Sequence, residues 1–141
     1  MTAEAFLDSN ILLYSCSDSP ADAKKQAISE KLIMETDFAL SSQVLQEFIA
    51  NALMKKVLGI SENQIDATLE MAGHVTVLPI THELILSAVT LRRRWQLSHW
   101  DACIIAAALE LGCHTLYTED LNHGQNYDGV RVLNPFAETP E

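Results

Sequence analysis

The sequence is short of cysteine, of basic charge and of long apolar runs, and each shortage excludes something. Three cysteines, Cys16, Cys103 and Cys113, form no CxxC pair, and an odd count suits reduced core residues better than a disulfide framework. The five histidines, His74, His82, His99, His114 and His123, show no zinc-type spacing, so packing and surface roles are the expectation for both residue types. The longest uninterrupted apolar run, Ala102 to Leu109, covers eight residues, against the ~20 that a membrane span needs. The first residues lack a basic segment, and Asp8 interrupts the apolar stretch that a signal peptide requires. A soluble cytoplasmic protein, without a membrane partner, is therefore expected. Nine basic against nineteen acidic residues leave a net charge of −10, which argues against broad attraction to nucleic acid through the overall field. A polyanionic substrate would have to be drawn by a local patch or by bound cations.

What is present is material for one core. At 141 residues, 48% of them hydrophobic, the chain suits a single domain over residues 1–141. Phe6-Leu7 reads as the end of a buried strand, and the pattern turns helical from Ile11 to Cys16 directly after Asp8. Ser19-Pro20-Ala21-Asp22 has the form of a capped helix start, with the helix running to about Glu35. Residues 37–41 read as a strand, and Ser42 opens an amphipathic helix through Val44, Leu45, Phe48, Ile49, Ala52 and Leu53 that stops near Gly59. Ser61 and Gln64 form a capping-box pair, starting a helix that ends around Gly73. Residues 75–78 are a strand between Gly73 and Pro79. A helix from His82 to Trp95 has Leu84, Ile85, Ala88 and Leu91 as its buried stripe, and another runs from Ser98 to Gly112. Two further strands, 114–118 and 130–133, flank a loop from Asp120 to Gly129. Strands alternating with helices imply parallel pairing, hence a three-layer α/β domain with four or five strands.

That arrangement gathers acids at one edge. In a βα unit the strand's carboxyl end meets the helix's amino end; Asp8 sits at such a junction, Asp120 follows the strand ending at Thr118, and Asp101 lies in the first turn of the helix begun by Ser98. Asp101 shares a stripe with Ile104, Ile105 and Ala108, where a charge is costly unless paired; Ser98 with Asp101 also has the spacing of a capping box. Glu47 points off the apolar stripe of its helix, beside Gln43 and Asn51, and on its own would be a solvated face. Like charges ~4 Å apart cost a few kcal/mol per pair at an effective dielectric near 20, a cost that a divalent cation removes. All-oxygen donors favour magnesium or manganese, which activate water and stabilise the leaving oxygen of a phosphodiester.

With these motifs in view, the chain resembles the PIN-domain ribonucleases, in particular the VapC-like toxins of bacterial toxin-antitoxin pairs. The matching segments are Phe6-Leu7-Asp8-Ser9-Asn10, Ser42-Gln43-Val44-Leu45-Gln46-Glu47-Phe48, Ser98-His99-Trp100-Asp101-Ala102 with Ile104 and Ile105, and Tyr117-Thr118-Glu119-Asp120-Leu121-Asn122, with Asn134-Pro135-Phe136 at the close. The resemblance implies a Rossmann-like sheet, a Mg2+- or Mn2+-dependent endoribonuclease, and a homodimer inhibited by a cognate antitoxin. It assigns Asp8, Glu47, Asp101 and Asp120 as the catalytic acids, with Asp8, Asp101 and Asp120 as metal ligands and Asn10 and Thr118 as supporting polar groups. Where many relatives carry a further acid two residues beyond the fourth, this chain has Asn122, while Glu119 offers an acid on the other side. A non-catalytic PIN-like module that binds nucleic acid or protein is the alternative reading.

Lys55 and Lys56, and Arg92, Arg93 and Arg94, crowd the ends of two helices. They complement the macrodipole there, or contact RNA phosphates beside the metal site. Trp100 reads first as a packing residue and second as a platform for a base. His123 is more often an incidental loop residue than a proton donor.

Overall fold

In the computed structural model, which describes residues 3–137, β1 (Ala5–Leu7) runs through the middle of the sheet with all three residues buried. β2 (Phe38–Ser41) pairs with it on one side and β4 (Thr115–Tyr117) on the other, both parallel. Outside them lie β3 (Val77–Leu78) against β2 and β6 (Val130–Leu133) against β4, again parallel. β5 (Asn126–Tyr127) closes the edge antiparallel to β6, giving the order β3-β2-β1-β4-β6-β5. The five parallel strands agree with the expected sheet. β5 lies in the stretch read as loop, although Asp128-Gly129 is a hairpin signal: both residues have positive φ (55° and 111°), and Asn126 Oδ1 accepts from the Gly129 N–H at 2.8 Å.

Parallel neighbours require crossovers, and these supply the helices. α1 (Ser9–Cys16) and α2 (Ala23–Glu35) link β1 to β2; α3 (Ser42–Met54) and α4 (Glu62–Ala72) link β2 to β3; α5 (His82–Trp95) and α6 (His99–Glu110) link β3 to β4. The first two crossovers step one way along the sheet and the third steps back, so the right-handed rule puts α5 and α6 on the opposite face from α1 to α4. α5 packs on α6, and α1 packs on α2 and α3. The core joins Phe6, Leu7, Leu40 and Leu116 of the sheet to Ile11, Leu12, Phe48 and Ile105 of the helices, all at most 1% exposed. β1 and β4 are sequence-distant neighbours at the point where the crossovers reverse direction, which is where open α/β sheets leave a crevice at their carboxyl edge.

Local chemistry sets most helix starts. Ser41, Ser61, Thr81 and Ser98 each accept the backbone N–H of the third residue of their helix, and Ser61 with Gln64 closes a full capping box. Such caps each contribute about 1 kcal/mol. Ser19 departs from expectation: it makes no cap, Pro20–Asp22 forms a separate tight turn, and α2 starts at Ala23. Asp22 is instead held by Ser17, whose hydroxyl donates to its carboxylate at 2.8 Å. Ile85, expected in the buried stripe of α5, is 42% exposed, while Leu84, Ala88 and Leu91 are buried. Pairing restricts β3 to its last two expected residues, because only Val77 and Leu78 find register partners on β2.

Candidate functional site

Asp8 is the N-cap of α1 and 5% exposed. One carboxylate oxygen accepts the Ser9 N–H at 2.7 Å, and the other accepts the Thr118 hydroxyl at 2.8 Å. Burial pushes its carboxyl from the ordinary 3.8 up to about 7; those two hydrogen bonds oppose the rise, and the charges of Glu47 and Asp120 add to it. Thr118, fully buried just beyond β4, also accepts from Asn10 Nδ2 at 3.2 Å and from the Asp120 N–H at 3.1 Å. Its one donor and both acceptor positions are thereby used. Asn10 Nδ2 reaches Asp120 as well, at 3.2 Å. A single hydroxyl thus ties together the ends of β1 and β4, the first turn of α1, and Asp120.

The other two acids arrive from helices. Glu47, half-buried on α3, has its carboxyl raised by burial and by the charges of Asp101 and Asp120, against a hydrogen bond from Gln43. Asp101, half-buried in the first turn of α6, is raised by burial and by Asp120, against Ser98. Its N–H is the one that Ser98 caps, at 3.1 Å, so the capping role and membership of the acidic group coexist. The charge of Asp120 raises Asp8, Glu47 and Asp101 alike; Glu47 also raises Asp8, and Asp101 also raises Glu47. Hydrogen bonds through Asn10 and Thr118 thus join Asp8 to Asp120, while Glu47 is linked through Gln43 to the Trp100 carbonyl, next to Asp101.

The donor set suits a hard cation. The acids supply only oxygen, and Asn10 Oδ1 is a buried oxygen without a hydrogen-bond partner, the kind of group an ion or its water would satisfy. Among the described residues, no three Asp, Glu, His or Cys side chains lie close enough together to form a ligand shell as they stand.

Glu119 turns elsewhere. It accepts from the Tyr14 hydroxyl at 2.6 Å and pairs with Lys25 at 2.9 Å, while Tyr14 meets the Phe136 ring edge-on at 5.2 Å. Asn122 is exposed. His123 Nδ1 accepts the Asn134 N–H at 2.9 Å and so fastens its loop to the segment after β6. Of the bases, Arg94 pairs with Asp128 at 2.9 Å, Arg92 Nε is buried, and Lys55, Lys56 and Arg93 are exposed.

Two features escaped the sequence. Gln43 is 8% exposed, and its amide donates both to Glu47 (3.4 Å) and to the Trp100 carbonyl (3.3 Å), linking α3 to α6. Its place one turn before Glu47 was the available signal. Trp100, expected to pack, is 63% exposed and lines a cavity of about 530 Å³ with Glu47, Ile80, Ile85 and His99.

The family model described as PIN domain matches residues 5–128. No curated protein matches the sequence at a significant level. Among solved structures, the fold is similar to a toxin-antitoxin complex from Klebsiella pneumoniae, with a TM-score of 0.67 and 20% identity over 94% of this chain and 98% of that one. It is similar to VapC20 of Mycobacterium tuberculosis, a toxin that cleaves the sarcin-ricin loop, with a TM-score of 0.64 and 17% identity over 82% and 91%. It is similar also to VapBC2 from Rickettsia felis bound to a DNA fragment from its promoter, with a TM-score of 0.63 and 17% identity over 91% and 96%.

Proposed function

The chain belongs to the PIN-domain family, and from that premise we propose that it is a divalent-metal-dependent endoribonuclease, the toxin of a toxin-antitoxin pair. The observation that supports this reading is the network at the β1–β4 switch point in which Thr118 and Asn10 join Asp8 to Asp120, with Glu47 and Asp101 near enough to raise the carboxyls around them. Asp8, Asp101 and Asp120 would hold Mg2+ or Mn2+, which when bound supplies an activated water and charge stabilisation at a phosphodiester. The chain's own residues do the placing. Thr118 and the Ser9 N–H fix both oxygens of Asp8, so its carboxylate is oriented before any substrate arrives. Asn10 holds Asp120 toward the same point. Glu47, half-buried with a raised carboxyl, is placed to exchange a proton with a bound water.

A cation in this cluster also answers the problem of a chain at −10 accepting RNA. Lys55, Lys56 and Arg93 are exposed cations open to phosphates further along the strand, while Arg94 pairs with Asp128 and Arg92 is the last of the RNA-contact candidates. The partners in this reading are RNA, a cognate antitoxin and a second copy of the chain in a homodimer, in the cytoplasm; among the described residues no helix is long and apolar enough to cross a membrane.

The test is cleavage of single-stranded RNA with Mg2+ or Mn2+, with and without chelator, by the wild type and by Asp8→Asn. Cleavage lost with chelator and with the variant supports the reading. Metal-independent cleavage, full activity of Asp8→Asn, or calorimetry showing no divalent ion bound would overturn it, the last in favour of a non-catalytic binding module.

A further inference from the structure

Trp100 is the residue immediately before Asp101, and its side chain is left 63% exposed at the amino end of a helix whose next seven residues after Asp101 are buried. So large an aromatic left in water forgoes its burial and presents an open ring face against which another flat ring can stack. The ring is not free to wander. The His99 ring meets it at 66° with centroids 5.2 Å apart, and Cys103 Sγ lies 3.3 Å from His99 Nε2 one turn further on. The Trp100 carbonyl is held by the buried Gln43 amide, which also donates to Glu47. Platform and acid are thus fastened to the same side chain.

The cavity beside this ring, about 530 Å³, has Ile80 and Ile85 as apolar walls and Glu47 at its border with the acidic cluster. No lysine or arginine lines it, and a carboxylate on its rim repels phosphate. A flat, uncharged heterocycle suits the space, with the phosphodiester attached to it left outside, to be met by a cation held at the acids.

Resting on the ribonuclease reading above, we propose that this cavity is a nucleobase subsite: Trp100 stacks a base next to the scissile phosphate, and Gln43 holds the stacking platform in register with Glu47. Trp100 is a substrate-positioning and specificity-determining residue here. Base–aromatic stacking of about 1–3 kcal/mol corresponds to roughly a 5- to 150-fold change in affinity.

The experiment uses the full chain and a single-stranded oligoribonucleotide with 2-aminopurine beside the cleavage position. Binding is read by fluorescence on the non-cleaving Asp8→Asn background in Mn2+, and KM and kcat are read on the active chain. Wild-type Trp100 should quench the fluorophore; Trp100→Ala should abolish the quench and raise KM at least five-fold with kcat changed much less, and Trp100→Phe should restore most of both. An abasic nucleotide at that position should erase the difference between wild type and Trp100→Ala. Circular dichroism of an exposed-site variant controls for folding.

Cleavage with KM and quench indifferent to Trp100 would overturn the subsite and leave the ribonuclease reading standing. A Trp100-dependent quench without cleavage by the wild type would do the reverse. Trp100→Ala that alters the sedimentation of the protein alone but not the quench would assign the cavity to a second copy of the chain and overturn the inference.

Discussion

The acidic cluster has two halves built on opposite plans. On the β1–β4 side, Asp8 and Thr118 are buried, every polar position of the Thr118 hydroxyl is used, and Asn10 reaches across to Asp120. On the α3–α6 side, Glu47 and Asp101 are half-buried, each steadied by a side chain of its own helix, and a cavity opens beside them. The first half is dry and fixed by the strands; the second is wetter and set on helix faces. Low dielectric makes polar contacts in the dry half strong and omissions there expensive, whereas the open half leaves room for substrate. Substitutions should therefore be costly to the fold on one side and cheap on the other, although both sides belong to one site.

The largest effect is expected at Asp8. Asp8→Asn should lower metal-dependent cleavage by on the order of 10²–10³-fold or more, yet make the metal-free protein more stable at neutral pH. The sign follows from the carboxyl being raised from 3.8 to about 7. Below about pH 4 the group is protonated in folded and unfolded chains alike. Between about 4 and 7 the unfolded chain releases its proton while the folded chain keeps it, so wild-type stability falls with rising pH; above about 7 the loss is complete. Urea denaturation in chelator at pH 5 and pH 8 should show the variant gaining on the wild type by up to a few kcal/mol across that window. A gap that stays constant with pH would mean that Asp8 is not dry. The same competition makes Mn2+ affinity rise through pH 7, which calorimetry at pH 6 and 8 reads directly.

Next in size is Thr118→Val. It keeps the shape and removes a hydroxyl with three partners, leaving the Asn10 amide, the Asp120 N–H and one Asp8 oxygen short of a bond. A loss of about 1–3 kcal/mol is expected. Glu47→Gln, on the open side, should move stability by less than about 0.5 kcal/mol while still reducing cleavage. Equal stability costs at the two positions would erase the contrast between the halves.

The difference between the halves also explains what the sequence made legible. Asp8, Asp101 and Asp120 could be placed because topology alone decides which edge a strand end or a helix start faces, and backbone periodicity reveals both. Glu47 needed the other three, since a helix face carries no mark saying whether it meets solvent or a neighbouring element. Trp100 was misread for the same reason: an apolar helix predicts burial on average, but its first turn projects beyond the packed layer, and only three-dimensional packing shows that the ring stays outside. The cap expected of Ser19 does not form, and Asp22 is instead held by Ser17, a contact across a bend that no fixed spacing encodes. β5 was encoded, in Asp128-Gly129, but a two-residue strand offers no alternation to detect.

The smallest effect concerns the residue beside the cluster that did not join it. Glu119 is next to Asp120 in sequence, yet its carboxylate is held by Lys25 and Tyr14 on the α1–α2 side. Lys25 and Glu119 have side chains 38% and 23% exposed, so the pair contributes no more than about 1 kcal/mol, and Lys25→Met should lower the melting temperature only slightly. Its value lies in metal binding. Lys25→Met frees Glu119, and Glu119→Gln removes its charge; if Glu119 acts only as a fastening for Tyr14 and Lys25, both variants should keep Mn2+ affinity within about two-fold of wild type, well under 1 kcal/mol. A ten-fold gain in Lys25→Met with a ten-fold loss in Glu119→Gln would instead make Glu119 a further metal ligand beside Asp120. The dry half would then extend one residue beyond Asp120, with Lys25 acting as a competitor for the metal's ligand.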